Sequence, residues 1–200
     1  MPIQRPAVPK PENVQLGEGV LIFNFNPDDW DDPEAIPFGA TRGGGSYNVE
    51  RTNLAMRFDG DRGENTKGLK RITEWVITIT ANALELDLDL MAKIMPGGIE
   101  EVSGGTSVPG YRKYRPKINY EESDYLKNLA YVTESYAGGL VAYVIENPLG
   151  DGALSAAFED KNEVVAETTF TAHFDPEKMD EVPTYIVHYE TDSGNGGVEG

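Results

Sequence analysis

A period-two alternation of apolar and polar residues constrains the fold of this chain more than any other feature. It is clearest in residues 71–80, RITEWVITIT. The apolar positions there are Trp75, Ile77 and Ile79, and the polar positions are Glu74, Thr78 and Thr80. Successive side chains of a β-strand point to opposite sides, so this pattern predicts a strand that covers a core with one face only.

Similar patterns predict several further strands along the chain. The predicted segments are 19–26, 46–59, 127–135, 139–147, 153–158, 164–174 and 184–190. In segment 46–59 the apolar residues change parity between Val49 and Leu54. This change predicts a β-bulge or a sharp bend near residues 51–53. The unbroken apolar run from Leu140 to Ile145 indicates a strand that is buried on both faces.

One segment has the spacing of a helix. Asp87 is its predicted N-cap, and Pro96-Gly97 is its predicted stop. The apolar stripe of this helix is Leu88, Met91 and Ile94. Residues 97–117 are predicted to form a long loop, and residues 160–162, Asp-Lys-Asn, a turn between two strands. The whole pattern predicts a mainly β fold, an antiparallel β-sandwich or barrel with one short α-helix and long loops.

Proline and glycine mark the ends of the predicted domain. Residues 1–17 contain four prolines and are predicted to form an extended arm, and residues 191–200 a flexible tail. Residues 18–190 are predicted to form the β-sandwich domain. The N-terminal residues lack the apolar segment of a secretory signal, and no apolar run approaches the ~18 residues of a membrane-spanning helix.

The composition excludes several classes of protein. The 200 residues include 34 acidic and 17 basic ones, for a net charge of −17, which argues against a protein that grips nucleic acid through Lys and Arg. The chain has no cysteine, so disulfides and thiolate metal sites are excluded, and both reducing and oxidising compartments remain open. Ten Tyr, seven Phe and two Trp distinguish it from disordered acidic chains.

Segment 58–71, FDGDRGENTKGLKR, has the composition of a ligand loop but not the spacing of one. Counted from Asp59, a calcium loop would need other residues at its positions 5, 6 and 12, and a phosphate loop would need Ser or Thr after Lys67. We interpret the segment as a connection between two long strands whose mixed charges suit contact with a neighbouring protein. Those charges are Asp59, Asp61, Arg62, Glu64, Lys67 and Lys70.

Other chemical candidates are weaker. The acidic segment 28–34, DDWDDPE, has the groups to bind a divalent ion, but a solvated surface loop with a Trp anchor is the interpretation we favour. His173 and His188 both lie in predicted strands beside aromatic residues, and no nucleophile motif accompanies them. The glycines of segment 39–47 precede a strand, whereas a phosphate cradle precedes a helix. The sequence therefore predicts no catalytic residue, no cofactor and no metal site.

The order of several segments resembles the major tail tube proteins of long-tailed, non-contractile phages. Within residues 39–97 these are G-A-T-x-G-G before a long strand, an acidic strand ending in D-G, a Lys-Gly turn, a T-x-T strand, and N-x-L-E-L before a short helix closed by P-G. In the C-terminal half the segment is FEDKNEVVAETTFTAHFDPEKMDEVPTYIVHYE, residues 158–190. The resemblance covers about residues 18–190, and the proline-rich arm and the basic segment 111–117 depart from it.

This resemblance implies a structural subunit of a phage virion. The family's subunits are β-sandwiches that form hexameric rings, and the rings stack into a hollow tube through which DNA leaves without specific binding. The implied partners are further copies of the chain, a tape measure protein and a tail terminator protein, and no membrane anchor is implied. The implied location is the phage tail, after synthesis in the host cytoplasm.

The resemblance also gives candidate residues for assembly. We expect acidic residues on the polar faces of long strands to line the lumen, namely Glu50, Glu74 and Glu167. We expect contacts between subunits or rings from the charges of segment 59–70, and from Arg112, Lys113 and Arg115. Two alternatives remain open. One is a capsid decoration or carbohydrate-binding β-sandwich module, which would stop at a fixed oligomer, and the other is an enzyme on a β-sandwich scaffold.

Overall fold

The computed structural model describes residues 9–63, 66–158 and 160–189, apart from the side chain of Glu12. In chain order its elements are β1 (Gln15–Phe23), β2 (Ile36–Pro37), β3 (Thr41–Ala55), β4 (Lys70–Ala83), α1 (Leu88–Ile94), β5 (Gly97–Val102), β6 (Tyr111–Pro116), β7 (Asn128–Ser135), β8 (Leu140–Glu146), β9 (Ser155–Ala156), β10 (Ala166–Thr171) and β11 (Thr184–His188), with 3₁₀ turns at Pro11–Asn13 and Glu122–Asp124. Among the described residues, no helix is long and apolar enough to cross a membrane.

The strands form three antiparallel sheets. The five-stranded sheet has the order β11-β8-β7-β1-β2, the four-stranded sheet has the order β3-β4-β10-β9, and β5 pairs with β6 alone. The predicted mainly β, antiparallel fold with one short α-helix is confirmed. None of the three sheets closes on itself within the described residues, so the architecture is a sandwich of the two larger sheets.

The main core lies between the two larger sheets. The predicted alternation in residues 71–80 is confirmed, and it continues through Ala83. Ile77, Ile79, Ala81 and Ala83 are buried, while the residues between them are at least partly exposed. The centre of the core is an aromatic cluster of three buried rings, with centroids 5.6 to 6.2 Å apart. These rings are Phe23, Phe38 and Phe170.

The long β3–β4 hairpin crosses the five-stranded sheet and extends beyond it. Tyr47 of β3 stacks against Tyr143 of β8 at 5.1 Å, and its hydroxyl lies 2.8 Å from the Oγ1 of Thr184 in β11, the edge strand. The register of the hairpin shifts between Thr52 and Asn53, which confirms the predicted irregularity. Thr73 of the partner strand is the extra residue, since Thr52 pairs with Glu74 and Asn53 with Ile72.

The five-stranded sheet is buried on its second face too. Phe25, Ala130, Ala142 and Val144 form a separate buried cluster there. Segment 24–35 covers this cluster, and the Tyr189 hydroxyl donates to the carbonyl of Pro27 (2.8 Å). The prediction that residues 140–145 are buried on both faces is confirmed, because Val144 belongs to this cluster and Ile145 to the main core.

The predicted helix forms, although its buried face differs from the prediction. The Oδ1 of Asp87 accepts the backbone N–H of Leu90 (2.6 Å), which confirms the N-cap. Leu90 and Ile94 are the buried side chains, whereas Leu88 and Met91 are only half-buried. Buried Gly150 packs against the helix end, where an added Cβ would lie 1.8 Å from the carbonyl oxygen of Ile94.

The prediction of a long loop over residues 97–117 is wrong. Residues 97–102 and 111–116 form a two-stranded hairpin instead. The hairpin places acidic residues opposite basic ones, with Glu100 across from Lys113 and Glu101 across from Arg112. Opposite charges at directly paired positions favour such a ladder, and this complementarity was visible in the sequence. Arg112, Lys113 and Arg115 therefore lie in a strand rather than in a loop.

Several strand boundaries also differ from those predicted. β1 covers residues 15–23 rather than 19–26, because Asn24 adopts a positive φ of 54° and ends the strand. β3 begins at Thr41 and ends at Ala55, so the glycine-rich segment belongs to the strand. The predicted strands at 153–158 and 164–174 shrink to Ser155–Ala156 and Ala166–Thr171. The turn at residues 160–162 is confirmed, with Lys161 at φ 63°.

Candidate assembly surfaces

The face of the four-stranded sheet turned away from the core is polar and uncovered. The registers of β3, β4 and β10 place alternate residues of the three strands on this outer face. These residues are Ser46, Asn48, Glu50, Thr52, Glu74, Val76, Thr78, Thr80, Asn82, Glu167, Thr169 and Thr171. None of them is buried, so no described element packs across this face.

The three predicted lumen residues lie on this one face. Glu50 and Glu74 occupy neighbouring pairs of the β3–β4 ladder, since Glu50 is opposite Val76 and Thr52 is opposite Glu74. Glu167 lies on β10, opposite Asn82. The outer-face positions given above contain no Lys or Arg. The prediction that these glutamates line a lumen remains a prediction, but the fold brings them onto a single surface.

The carboxylates of this face make only local hydrogen bonds among the described residues. Glu50 accepts the side-chain amide of Asn48 (2.9 Å), and Glu74 accepts the hydroxyl of Thr52 (3.5 Å). Arg42, near the start of β3, is ion-paired with Glu163. Arg71, which pairs with Leu54 at the hairpin tip, is a cation in register with this face, so the negative charge is unopposed only along the strand positions given above.

Both larger sheets have a long free edge. β3 is the edge of the four-stranded sheet and spans fifteen residues, and β11 is an edge of the five-stranded sheet. The opposite edges are the two-residue strands β9 and β2. A long edge strand presents unpaired backbone N–H and C=O groups, which makes it a template for pairing with another chain.

The overhanging part of the β3–β4 hairpin exposes large apolar side chains. Leu54 is 62% exposed, Met56 65% and Phe58 51%, and Ile72 and Val76 are also exposed. Leu54 and Met56 continue the parity of Glu50 and Thr52, so the polar outer face becomes apolar at the hairpin tip. Exposed apolar side chains grouped in this way mark a surface for protein contact.

The connection between β3 and β4 holds the predicted contact residues of segment 59–70. Asp61 has a side chain only 8% exposed, and its Oδ2 lies 2.7 Å from the Nε of Arg57, so this residue stabilises the loop itself. Asp59, Arg62 and Lys67 are exposed, and Lys70 is the first residue of β4. Glu64 lies outside the described residues. The contacts predicted for this group with other subunits remain predictions.

The basic residues of the β5–β6 hairpin are largely engaged within the chain. Arg112 donates two hydrogen bonds to Asp89 in the first turn of α1, at 2.7 and 3.2 Å. Hydrogen bonding from this guanidinium holds the pKa of the Asp89 carboxyl below its usual value. Lys113 lies 3.8 Å from Glu100, and Arg115 is exposed. The Arg112–Asp89 pair joins the hairpin to the helix and the Lys113–Glu100 pair joins its two strands, and a contact with another subunit would add to these roles.

The acidic segment 28–34 uses its carboxylates to close its own turns. Asp29 accepts the N–H of Asp31, and Asp32 accepts the N–H of Glu34 and the amide of Asn26. The hydrogen bond from Glu34 is the main cause that lowers the pKa of Asp32. Trp30 packs edge-on against Tyr189 at 4.8 Å. Across the described residues, no group of three or more His, Asp or Glu side chains is placed to hold a metal ion.

The two histidines differ in position. His188 is in β11, as predicted, but His173 lies beyond the end of β10, because the chain leaves that strand after Thr171 to approach the other sheet. Its backbone N–H donates to Glu146 (3.3 Å), and its ring lies 2.9 Å from the carbonyl oxygen of Thr171. The ring also packs edge-on against Tyr125 at 5.1 Å.

Sequence reasoning did not identify a cleft at one end of the five-stranded sheet. Its lining combines aromatic and acidic residues, including Tyr120, Tyr125, Glu122, Phe174 and Asp175. These residues come from two segments about fifty positions apart in the chain, and each segment alone has the composition of an ordinary polar connection. The second segment is held at the end of β8, where the backbone N–H of His173 donates to Glu146 and the side chain of Asn147 donates to the carbonyl of His173, and the sequence carries no local indication of these contacts.

Comparison with known proteins gives a limited result. No protein-family model matches the sequence, and no curated protein matches it. Among solved structures, the chain is similar to the tube-terminating cap of the anti-feeding prophage, determined by cryo-electron microscopy. The two are 14% identical, the similarity covers 94% of this chain and 99% of the other, and the TM-score is 0.47. A similarity of this extent does not assign a function, which therefore has to be inferred from the surfaces described above.

Proposed function

We propose that this chain is the subunit of a phage tail tube, in which rings of copies stack and the four-stranded sheet faces the bore. The observation that carries the proposal is the uncovered outer face, which holds Glu50, Glu74 and Glu167 and meets an arginine only at the hairpin tip, where Arg71 pairs with Leu54. The segment order that resembles major tail tube proteins supports the same assignment.

An acidic wall without Lys or Arg along its central strand positions suits a passage for DNA. Proteins bind the phosphate backbone when Lys and Arg replace condensed counterions, and this exchange supplies most of the sequence-independent affinity. A wall of Glu, Thr and Asn side chains offers no such exchange and repels phosphates, so DNA slides along it without being held. In this proposal the net charge of −17 contributes only where it faces the bore.

The free sheet edges provide the means of forming a ring. Pairing β3 of one copy with an edge of the next copy hides its backbone groups and extends the four-stranded sheet around the bore. Such a contact uses two different surfaces of the subunit, so it repeats until the rotation closes. The tail-tube resemblance implies six copies in the closed ring.

The overhanging hairpin tip provides a contact between rings. Leu54, Met56 and Phe58 are exposed in the single subunit, and burying them against a neighbour removes apolar area from water. The exposed charges Asp59, Arg62 and Lys67 surround this tip and would set its register on the neighbour. The tape measure protein inside the tube and the terminator protein at its end complete the proposed set of partners.

Electron microscopy of the purified protein over a range of concentrations tests the proposal. We expect rings or tubes of uniform diameter at high concentration. Replacing Leu54, Met56 and Phe58 together by Ser should prevent their growth while leaving the thermal unfolding of the subunit nearly unchanged, because these side chains are exposed in it. A protein that stays a single subunit at every concentration would contradict the proposal.

The acidic bore is tested by charge reversal in the phage. The triple variant Glu50→Lys, Glu74→Lys and Glu167→Lys should still form tails but deliver DNA more slowly. A matched control reverses three exposed aspartates with the same change in net charge, namely Asp28 and Asp31 in the segment over the five-stranded sheet and Asp180 before β11. Equal delivery by the lumen variant and the control would remove the three glutamates from the bore.

A further inference from the structure

We propose that the proline-rich, basic segment 5–11 (RPAVPKP) of one copy binds in the aromatic, acidic cleft of the next copy in the stack. This inference rests on the proposed function, because it concerns how successive rings are joined. It identifies the cleft as a binding site and segment 5–11 of another copy as its ligand.

The cleft has the lining of a groove for a proline-rich segment. It measures about 860 Å³ and lies between the 3₁₀ turn at Glu122–Asp124 and the segment that follows β10. Three aromatic rings and one proline contribute to its walls, namely Tyr120, Tyr125, Phe174 and Pro176. Tyr120 is 54% exposed, so its ring is available to a ligand. Proline-rich segments in the polyproline II conformation dock on aromatic-lined grooves of this kind.

The charge of the cleft complements that of the segment. The acidic lining residues are Glu121, Glu122 and Asp175, and the basic one is Lys127. Lys117 pairs with Glu121 at 2.7 Å, which leaves Glu122 and Asp175 as the carboxylates to meet a cation. The segment carries Arg5 and Lys10 beside Pro6, Pro9 and Pro11. Arginine suits such a site because its planar guanidinium both pairs with carboxylates and stacks on aromatic rings.

The cleft and the segment belong to opposite ends of the five-stranded sheet. The cleft lies where β7 begins and β8 ends, next to Asn128 and Asn147. The arm leaves at the other end, where the N–H of Tyr136 donates to the carbonyl of Val14 (2.6 Å) and Gln15 pairs with Ser135. Lys10 is in an extended conformation there, with φ −83° and ψ 125°.

This placement favours an occupant from another copy. Residues 128–135 of β7 separate the two ends by roughly 24 Å at about 3.3 Å per residue. Residues 5–9 span at most about 18 Å even when fully extended. This reach is shorter than the length of β7, and a copy stacked head to tail presents its cleft to the arm. Head-to-tail contacts do not close, so the same contact repeats along a tube.

A charge swap tests the contact in the full-length protein. Arg5→Glu and Glu122→Arg should each raise the concentration at which half of the protein assembles by about tenfold, and the double variant should regain most of this loss, since the two charges meet again in reversed order. Lys161→Glu, at an exposed turn, serves as the control and should leave assembly unchanged. Two single variants that weaken assembly without recovery in the double variant would contradict the pairing.

A crosslinking measurement keeps the test independent of those variants. A photoreactive benzoylphenylalanine at position 120 should crosslink to a peptide from residues 1–13, and a mixture of ¹⁵N-labelled and unlabelled protein should give crosslinks between the two isotopic forms. Crosslinks to other segments, or only within one copy, would overturn the inference. If tubes form and both experiments fail, the inference is wrong while the proposed function stands; if the protein never assembles, the proposed function itself fails.

Discussion

The two larger sheets differ in what covers the face turned away from their shared core. On the five-stranded sheet that face is apolar and covered by segment 24–35, whose Phe25 packs with Ala130, Ala142 and Val144. On the four-stranded sheet it is polar, and no described element packs across it. Both faces of the five-stranded sheet are thus covered within the subunit, whereas the outer face of the four-stranded sheet is exposed.

The sign of the charge is what makes this difference informative. Antiparallel sheets often have one face in water, so an uncovered polar face alone indicates no function. Elsewhere in the subunit, exposed acids such as Asp89, Glu163 and Glu121 are paired with basic residues. Glu50, Glu74 and Glu167 lie instead on a surface that meets a cation only at the hairpin tip, where Arg71 pairs with Leu54. Local stability does not require that arrangement, whereas a bore that must not retain DNA does.

The largest expected effect separates the two faces of the four-stranded sheet. Ile79 is completely buried, and Ile79→Ala should lower the free energy of unfolding by about 2–5 kcal/mol through lost burial and the cavity it leaves. The neighbouring change Thr78→Ala, on the outer face, should change it by about 0.5 kcal/mol or less. Denaturant unfolding measures both. A comparable loss for Thr78→Ala would mean that the outer face is covered in the subunit.

A pair of matched valines compares the outer faces of the two sheets. Val144 is fully buried on the five-stranded sheet, and Val76 is 40% exposed on the four-stranded one. We expect Val144→Ala to cost about 2 kcal/mol and Val76→Ala less than about 1 kcal/mol, in proportion to the apolar area that each removes from water.

The same two variants distinguish a bore from an interface once the protein assembles. A face that lines an open lumen stays in water, so Val76→Ala should leave the assembly concentration unchanged. A face that is buried between subunits should make the same change costly. A clear loss of assembly with Val76→Ala would therefore place the four-stranded sheet at an interface and contradict its assignment to the bore.

The sequence predicted the strands of the two larger sheets better than it predicted the β5–β6 hairpin and the aromatic cleft. Strong alternation located β4 and its buried face, and the parity change between Val49 and Leu54 located the bulge, because both are local patterns. The β5–β6 hairpin was missed because its strands are short and polar and depend on cross-strand charge pairs and on Tyr114, which packs over Gly97. The aromatic cleft was missed because it depends on long-range contacts of His173 with Glu146 and Asn147 at the end of β8.

Among the candidate assembly residues, too, local patterns could be predicted from the sequence and long-range contacts could not. Period-two alternation was enough to group Glu50, Glu74 and Glu167 on polar strand faces, and the register of the sheet then placed them on one surface. No local pattern could show that Asp61 is turned into its own loop by Arg57, or that Arg112 is held by Asp89. A charged residue in the sequence can pair with another protein, but only the fold shows which charged residues are already paired within the subunit.

A smaller effect tests the cover of the five-stranded sheet. Tyr189 donates its hydroxyl to Pro27 and packs against Trp30, and both residues lie in the covering segment. Tyr189→Phe should lower the free energy of unfolding by about 1 kcal/mol, the usual net value of one such hydrogen bond. Phe keeps the ring contact, so Trp30→Ala should show the remaining contribution separately. If neither change affects unfolding, segment 24–35 does not hold this face closed.

The smallest effect contrasts a paired acid with an unpaired one. Asp89→Asn removes the partner of Arg112 and should destabilise the subunit slightly at pH 7, less so at high salt, because the pair is exposed and therefore screened. Glu74→Gln removes a charge whose carboxylate accepts from the Thr52 hydroxyl rather than from a cation, so it should have no effect or stabilise slightly at low salt. Thermal unfolding at two salt concentrations shows whether each variant lowers or raises the stability of the subunit.

The pH dependence of the Asp89 variant follows from the direction of its pKa. The hydrogen bond from Arg112 lowers the pKa of the folded state, so the stabilisation is complete above the unfolded value near 3.9 and is lost as the pH falls through the folded value. The difference between the wild type and Asp89→Asn should therefore persist at neutral pH and disappear in strong acid. If Glu74→Gln instead destabilised the subunit at low salt as Asp89→Asn does, Glu74 would have to be paired with a cation, for which Arg71 is the candidate in register. The outer face could then hold phosphate, and the argument for a bore that releases DNA would fail.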